Sequence, residues 1–338
     1  RHMTFQKITD KTTWLEYFSH FPEANLLQSW EHGEISQSIG HTVERWAYVD
    51  KRRATILMSC VIKNARRGRF LEVAGGPLLD WRDTERATIA LEQLRYVGTQ
   101  YNCVFVRFRA QPPEDPKTIE FLNTQGLKQS PIHIVIDHTT ILDLTKSDDE
   151  LLKGMRQQTR YEVKRVAKRG VAVRALDPAK GIERFYELQR ETALRQNFIP
   201  PSRRYLEAVV EGYGEKVKLY GAFKNDVLLN LAIVVFYGNE ASYLEAASTP
   251  DARKEPGAYG IIWQAMRDAR EYGCTRFNLW GIAPPGVSNH RYSGVTTFKR
   301  GFGGEDVNYL PPQDMVLKPM AYRLTQAVEL IRKKRRHL

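Results

Sequence analysis

At 338 residues the chain is long enough for two domains with separate cores, and 42% hydrophobic with 27% charged residues is ordinary globular composition. Its longest apolar stretches, such as Leu228 to Tyr237 with Asn230 inside it, fall well short of the roughly 20 residues of a membrane-spanning helix. Net charge is +12, and about +7 remains when the five charges from Arg332 to Arg336 are set aside, so the expected partners are polyanions: RNA, phosphorylated metabolites or an anionic membrane face.

The first half opens on an amphipathic helix carrying Trp14, Leu15, Phe18 and Phe21, followed by a short helix with Trp30. Three strands run from Val43 to Ala74, turned at Asp50–Arg53 and Asn64–Gly68. A helix over Thr84–Thr99 and a strand over Cys103–Phe108 follow. Pro112, Pro113 and Pro116 break the chain ahead of a helix at Lys117–Gln125 and a strand at Ile132–Leu144. Ser147 and Glu150 form a capping box that starts a long helix to Lys168, stopped by Gly170. The second half then reads as helices over Ile182–Gln196 and Tyr205–Val210, a three-stranded meander from Val217 to Ala247, a loop at Pro250–Gly257, a helix over Tyr259–Glu271, a strand over Phe277–Trp280, and a basic amphipathic helix over Tyr322–Lys333. Domains are expected at 4–145 and 146–321, with a basic tail at 322–338.

Two segments repeat. Tyr101-Asn102-Cys103-Val104-Phe105-Val106-Arg107-Phe108 is echoed by Tyr272-Gly273-Cys274-Thr275-Arg276-Phe277-Asn278-Leu279, 171 residues later. The meanders repeat at an offset of 174. Two matches at nearly one offset imply duplicated architecture with a pseudo-symmetric cleft between the copies. Cys60, Cys103 and Cys274 lack paired spacing, which argues against disulfides or zinc and for buried thiols in a reducing cytoplasm. No signal peptide is visible, and Arg1-His2 ahead of Met3 is set aside as an expression remnant.

Helices, meander, helix, strand, helix, strand is the element order of the GCN5-related N-acyltransferase fold. The expected class is therefore α/β (α+β), with two such domains in tandem. The series Tyr243–Ser248, the helix bearing Trp263, Phe277–Ile282 and Gly294–Gly304 resembles the Fem family of peptidoglycan bridge-forming aminoacyltransferases. The Phe298-Lys299-Arg300-Gly301-Phe302-Gly303 piece is the most specific part. Thr159–Arg165 is similar to the basic helix that opens that family's second domain. Some members carry a long helical hairpin there; no heptad run occurs here, so the compact, armless type is expected.

The resemblance assigns roles. Lys299 matches a lysine implicated in handling the aminoacyl end of tRNA. Glycines beside it permit close approach to a ligand, and a cation there can stabilise a developing oxyanion. The residues alone also read as a surface lysine beside a β-bulge. Arg203, Arg204 and Tyr205 fall where the family holds the nucleotide-linked muropeptide, although Pro201 stands where an arginine is expected. Trp30 matches a tryptophan-led segment, with His32 or Glu34 replacing a diphosphate-binding lysine. Arg109 replaces an acidic residue and cannot act as a base. Tyr243, Phe298, and the His290-Arg291-Tyr292 run are further substrate-site candidates. Independently of any family, Arg156, Arg160, Lys164 and Lys168 recur every four residues and read either as a phosphate-contacting stripe for tRNA or as a solvated helix face.

The expected activity is transfer of an amino acid from aminoacyl-tRNA to an amine of a peptidoglycan precursor, lipid-linked or nucleotide-linked. No metal and no cofactor are expected, because Arg253–Gly260 is a poor match to a coenzyme A pyrophosphate loop. A cytoplasmic monomer with peripheral contact to anionic membrane completes the expectation. The alternatives are an acyl-CoA-dependent N-acyltransferase and a non-catalytic module that binds RNA or a membrane surface.

Overall fold

The computed structural model describes residues 4–66, 68–133, 135–290 and 292–336. They form two compact units, one built from the chain up to Asp137 together with Asn308 onward, the other from His138–Val307.

In chain order the first unit supplies β1 (Phe5–Lys7), α1 (Lys11–Phe18), α2 (Trp30–Ser38), β2 (Thr42–Asp50), β3 (Arg53–Ala65), β4 (Gly68–Ala74), α3 (Thr84–Gln100), β5 (Phe105–Arg109), α4 (Pro116–Thr124) and β6 (Lys128–Gln129). Then come β7 (His138–Asp143), α5 (Asp148–Gly154), α6 (Gln157–Arg165), β8 (Val171–Leu176), α7 (Pro178–Gln196), α8 (Arg203–Tyr213), β9 (Val217–Lys224), β10 (Val227–Tyr237), β11 (Glu240–Ser248), α9 (Gly257–Tyr272), β12 (Arg276–Gly281), α10 (Ser293–Arg300) and β13 (Glu305–Asn308). Strand β14 (Gln313–Val316) and helix α11 (Pro319–Arg336) end the described chain.

The first sheet runs β1-β2-β3-β4-β5-β14-β6 and the second β8-β9-β10-β11-β12-β7-β13. The two orders correspond slot for slot: an edge strand, an antiparallel meander, a parallel strand, an antiparallel strand, an edge. The repeated segments fill one slot in each. Helices α3 and α9 both stop at a tyrosine and a left-handed residue, Asn102 at φ 57° or Gly273 at φ 108°. A buried cysteine and the parallel strand follow. That is the helix-stop chemistry of a residue free to adopt positive φ. The apolar faces of α3 (Ala87, Ala90, Leu94) and α9 (Ile262, Ala265, Met266, Ala269) are each buried against their own sheet. Cys60, Cys103 and Cys274 are free and buried, and burial raises all three thiol pKa values.

The structure departs from the expected boundaries in four places. The division falls at residue 138 rather than 145, because β7 pairs with β12 of the second sheet. The segment after 308 returns to the first sheet through β14, whose partner is β5. The expected tail is therefore part of the first unit. Tyr322 is buried and donates to Asp314 at 2.7 Å. The long helix from Ser147 keeps its capping box but breaks at Met155 and Arg156, both extended, into α5 and α6. Lys299, read from its residues alone as a surface lysine beside a β-bulge, lies buried on helix α10. No inserted hairpin arm occurs among the described residues, whose longest helix is the 19-residue α7.

Candidate active site

The second sheet is opened on one side. Strand β11 pairs in parallel with β12 only from Glu240 to Ser242. Beyond that point β11 stays on β10 as far as Ser248, while β12 follows β7. In the first sheet the matching pair, β4 with β5, stays in register through five consecutive residues. The separation in β12 begins at a bulge: Asn278 faces Ile141, but Gly281 faces Thr139. Trp280 inside it has φ 65°, a strained value for a bulky residue. Side-chain bonds hold that backbone. Trp280 N donates to Asn278 Oδ1 at 2.9 Å, and Thr139 Oγ1 donates to the Trp280 carbonyl at 2.8 Å.

At the end of the bulge the Gly281 carbonyl accepts from Lys299. Lys299 is 8% exposed, and its Nζ donates to Gly281 O at 2.7 Å. Nζ also stands 5.8 Å from the centre of the Tyr292 ring. Burial pushes the Lys299 pKa down to about 7, opposed by the charge of Glu245 on β11. Glu245 is braced by Gln189 of α7, whose Nε2 donates to it at 2.8 Å. Glu245 and burial together push the Tyr205 hydroxyl pKa upward. One carboxylate thus couples electrostatically to both Lys299 and Tyr205. Tyr243, two residues before Glu245, is buried. Sequence reasoning placed Glu245 inside a matching segment without giving it a role, and missed Gln189 entirely. Only the fold brings their charge and amide to Lys299.

Helix α10 is fixed by packing on its other side. Phe298, a substrate-site candidate, packs edge-on against Tyr259 and Phe302, with ring centres 4.9 and 5.4 Å away. The glycines near Lys299 serve protein contacts. A Cβ on Gly303, which has φ 85°, would lie 2.2 Å from the Gly154 carbonyl, and one on Gly301 would lie 2.2 Å from Thr159 Oγ1. They let α10 close onto the α5–α6 break.

The other sequence candidates separate into groups. His290 Nδ1 accepts from Tyr292 N at 3.1 Å, so that pair shapes the entry to α10. Arg291 lies outside the described residues. Arg203 is exposed and paired with Glu183 and Glu207 at 2.6 and 2.8 Å, and Arg204 is exposed on the same helix. The arginines of the expected stripe are committed to backbone. Arg156 donates to the Thr297 carbonyl, and Arg160 to the carbonyls of Leu152 and Lys153. Lys164 and Lys168 are exposed. In the first unit, Trp30 carries the Arg45 guanidinium 3.7 Å over its ring, and burial and Lys63 lower the half-buried His32 to a pKa of about 4. Arg109 is buried against the Tyr309 ring at 4.3 Å and bonded to Gln111 at 2.9 Å, a structural cation whose pKa burial lowers to about 10. No group of three or more metal-ligating side chains is assembled among the described residues.

Tandem GCN5-related N-acyltransferase-like domains, one with an opened sheet and a buried lysine at the opening, define the class of protein. The sequence model of the FemAB family matches residues 9–125, 122–225 and 221–330, and the chain belongs to that family. It is 21% identical to the aminoacyltransferase FemB of Staphylococcus epidermidis over 385 aligned positions, covering 89% of this chain and 92% of that one. Since 385 positions exceed the 338 residues here, FemB holds inserted segments with no counterpart in this chain. A lipid II:glycine glycyltransferase of the same species is 22% identical over 254 positions, covering 56% of this chain and 61% of that one. The crystal structure of FemX superposes with a TM-score of 0.84 at 18% identity, covering 96% of this chain and all of that one, and so shares the fold.

Proposed function

We propose that this protein is an aminoacyltransferase that moves an amino acid from aminoacyl-tRNA to an amine of a peptidoglycan precursor. The observation that carries the reading is Lys299, buried beside the opening between β11 and β12 with its Nζ on the Gly281 carbonyl. Family membership and the activities for which FemB and the glycyltransferase are named support it.

The chemistry asks little of a nucleophilic side chain. The aminoacyl ester is already activated. The acceptor amine attacks its carbonyl carbon, a C–N bond forms, and negative charge builds on the carbonyl oxygen. Collapse breaks the bond to the ribose oxygen, which takes the proton the amine gives up; the resemblance to the family implies that the substrates themselves shuttle it. What remains for the protein is orientation and charge stabilisation. Lys299 supplies a cation in a desolvated place, where it acts more strongly than in water. Glu245 keeps it protonated enough to serve, and an arriving phosphate or oxyanion raises its pKa further. Tyr205 and Tyr243 are assigned to the acceptor side, and exposed Lys164 and Lys168 to the tRNA backbone.

The test is a transfer assay with a panel of charged tRNAs and both nucleotide-linked and lipid-linked precursors. The expected result is a new peptide bond with at least one pair. No transfer with any pair, together with thermal protection by coenzyme A, would replace this reading with acyl-CoA-dependent transfer.

A further inference from the structure

Helix α11 has two faces of opposite character. The inner face is clamped to the first unit. Tyr322 donates to Asp314, and Glu329, seven residues on, accepts from the Arg107 guanidinium at 3.0 and 3.2 Å. On the outer face Met320, Leu324, Ala327 and Ile331 recur at the four-three-four spacing that puts them on one line. All four are exposed, Met320 by 87%, Leu324 by 62% and Ile331 by 54%. Single exposed apolar residues are ordinary, but a stripe three turns long is not. Exposed Arg323, Lys334 and Arg335 border it. The only acidic residue of the helix, Glu329, is already held by Arg107, so the outward face is apolar and cationic.

We propose that α11 lies lengthwise in the headgroup layer of an anionic lipid surface, its stripe inserted and its flanking cations on lipid phosphates. The combination of an apolar line with basic borders is what an interfacial helix needs. No helix among the described residues is long and apolar enough to cross a membrane, so the contact is peripheral. Charge complementarity selects lipid over other occupants. A second copy of this chain would set the same basic borders, Arg323, Lys334 and Arg335, against themselves. A nucleic acid satisfies the cations but leaves the stripe wet. The clamp on the inner face means that the stripe is displayed without rearrangement. If the proposed transfer reaction holds, docking brings the enzyme to the surface where a lipid-linked acceptor resides.

The experiment is co-sedimentation of the full chain with vesicles of phosphatidylcholine containing phosphatidylglycerol, against phosphatidylcholine alone. The parent is expected to bind the anionic vesicles selectively and to be released by salt. Met320→Ser with Leu324→Ser and Ile331→Ser, and separately Lys334→Glu with Arg335→Glu, should each weaken binding by more than about tenfold. Tyr322 and Glu329 are untouched, so both variants should keep the parental circular dichroism and melting temperature. Parental vesicle binding in both folded variants overturns the proposal. So does equal binding to both vesicle types, or a parental dimer in sedimentation that the serine variant dissolves. Transfer to a soluble nucleotide-linked precursor should continue at the parental rate in the serine variant. If the parent transfers nothing, the functional reading fails while the vesicle result stands.

Discussion

Lys299 Nζ is bonded to the carbonyl of Gly281, the residue that follows a tryptophan held in the left-handed region. The strained Trp280 and the buried cation thus meet at one peptide group, where the lysine is a donor to the carbonyl that follows the bulge. Lys299→Met keeps the stem and removes the charge. It is expected to fold and to lose on the order of 100-fold or more in kcat with saturating charged tRNA. A parental rate would remove Lys299 from the chemistry.

The same lysine links stability to pH. Burial lowers its folded pKa to about 7 from the 10.5 of an ordinary lysine. Between those values the unfolded chain holds a proton that the folded protein has released, so unfolding free energy rises with pH across that window. Below about pH 7 both states are charged and the folded state bears the full cost of burying the cation. The stability of Lys299→Met relative to the parent should thus be greatest near pH 6 and shrink as pH climbs toward 10, read from urea midpoints. A constant difference across the series contradicts the buried-cation account.

Glu245→Gln preserves an oxygen for Gln189 and removes the charge that opposes the depression of Lys299. Its Lys299 should lose its proton at lower pH than in the parent. A drop of about one unit would take the charged fraction at pH 7 from about a half to about a tenth, so the kcat should fall about fivefold there and recover on acidification. Superimposable pH–rate profiles for parent and variant would show that the two groups are not coupled.

The split between Lys164, Lys168 and the two arginines predicts different phenotypes. Lys164→Gln with Lys168→Gln should raise the tRNA KM and reduce its salt slope by up to about two contacts, with an unchanged melting temperature. Arg156→Gln should lower the melting temperature, because the Thr297 carbonyl loses its donor. A salt slope equal to the parent's in the double variant returns both lysines to solvent.

What could be read from the sequence, and what could not, follows from the range of the forces involved. The Tyr101 and Tyr272 segments were recognisable because helix stop, buried cysteine and strand are all encoded within eight residues. Helix α10 was not, since Val295, Thr296 and Thr297 are poor helix formers and the helix is held by distant partners: Phe298 on Tyr259, Thr296 on Ala283 N and the Thr297 carbonyl on Arg156. The long helix from Ser147 looked continuous because nothing local records that Arg156 N must reach the Gly301 carbonyl at 2.8 Å. Lys299 could be singled out through the resemblance of its segment to the family and not from its neighbours alone, which also read as a surface lysine. Its electrostatic partner could not, because Glu245 is 54 residues away, and Gln189, which braces Glu245, is over a hundred.

Arg107 makes two bonds to Asp314, at 2.6 and 2.8 Å, where both side chains are almost wholly buried. Arg107→Met should cost about 3–5 kcal/mol, the usual penalty for stranding a buried charge, and loosen α11 from the first sheet. Urea denaturation and hydrogen exchange along α11 measure this. A loss under about 1 kcal/mol would mean that Tyr322 alone holds the helix.

The penultimate slot of each sheet is filled from the other side of the sequence. Strand β7, which follows the first half, completes the second sheet, and β14, which follows the second half, completes the first. A gene cut at the apparent repeat boundary near residue 145 would yield two fragments that each lack an interior strand and carry a spare one. Neither fragment should be soluble by itself, while the two made together should rescue one another. Each half of the sequence thus carries the strand that completes the other half's sheet, and deleting either half would leave the remaining sheet with an interior gap.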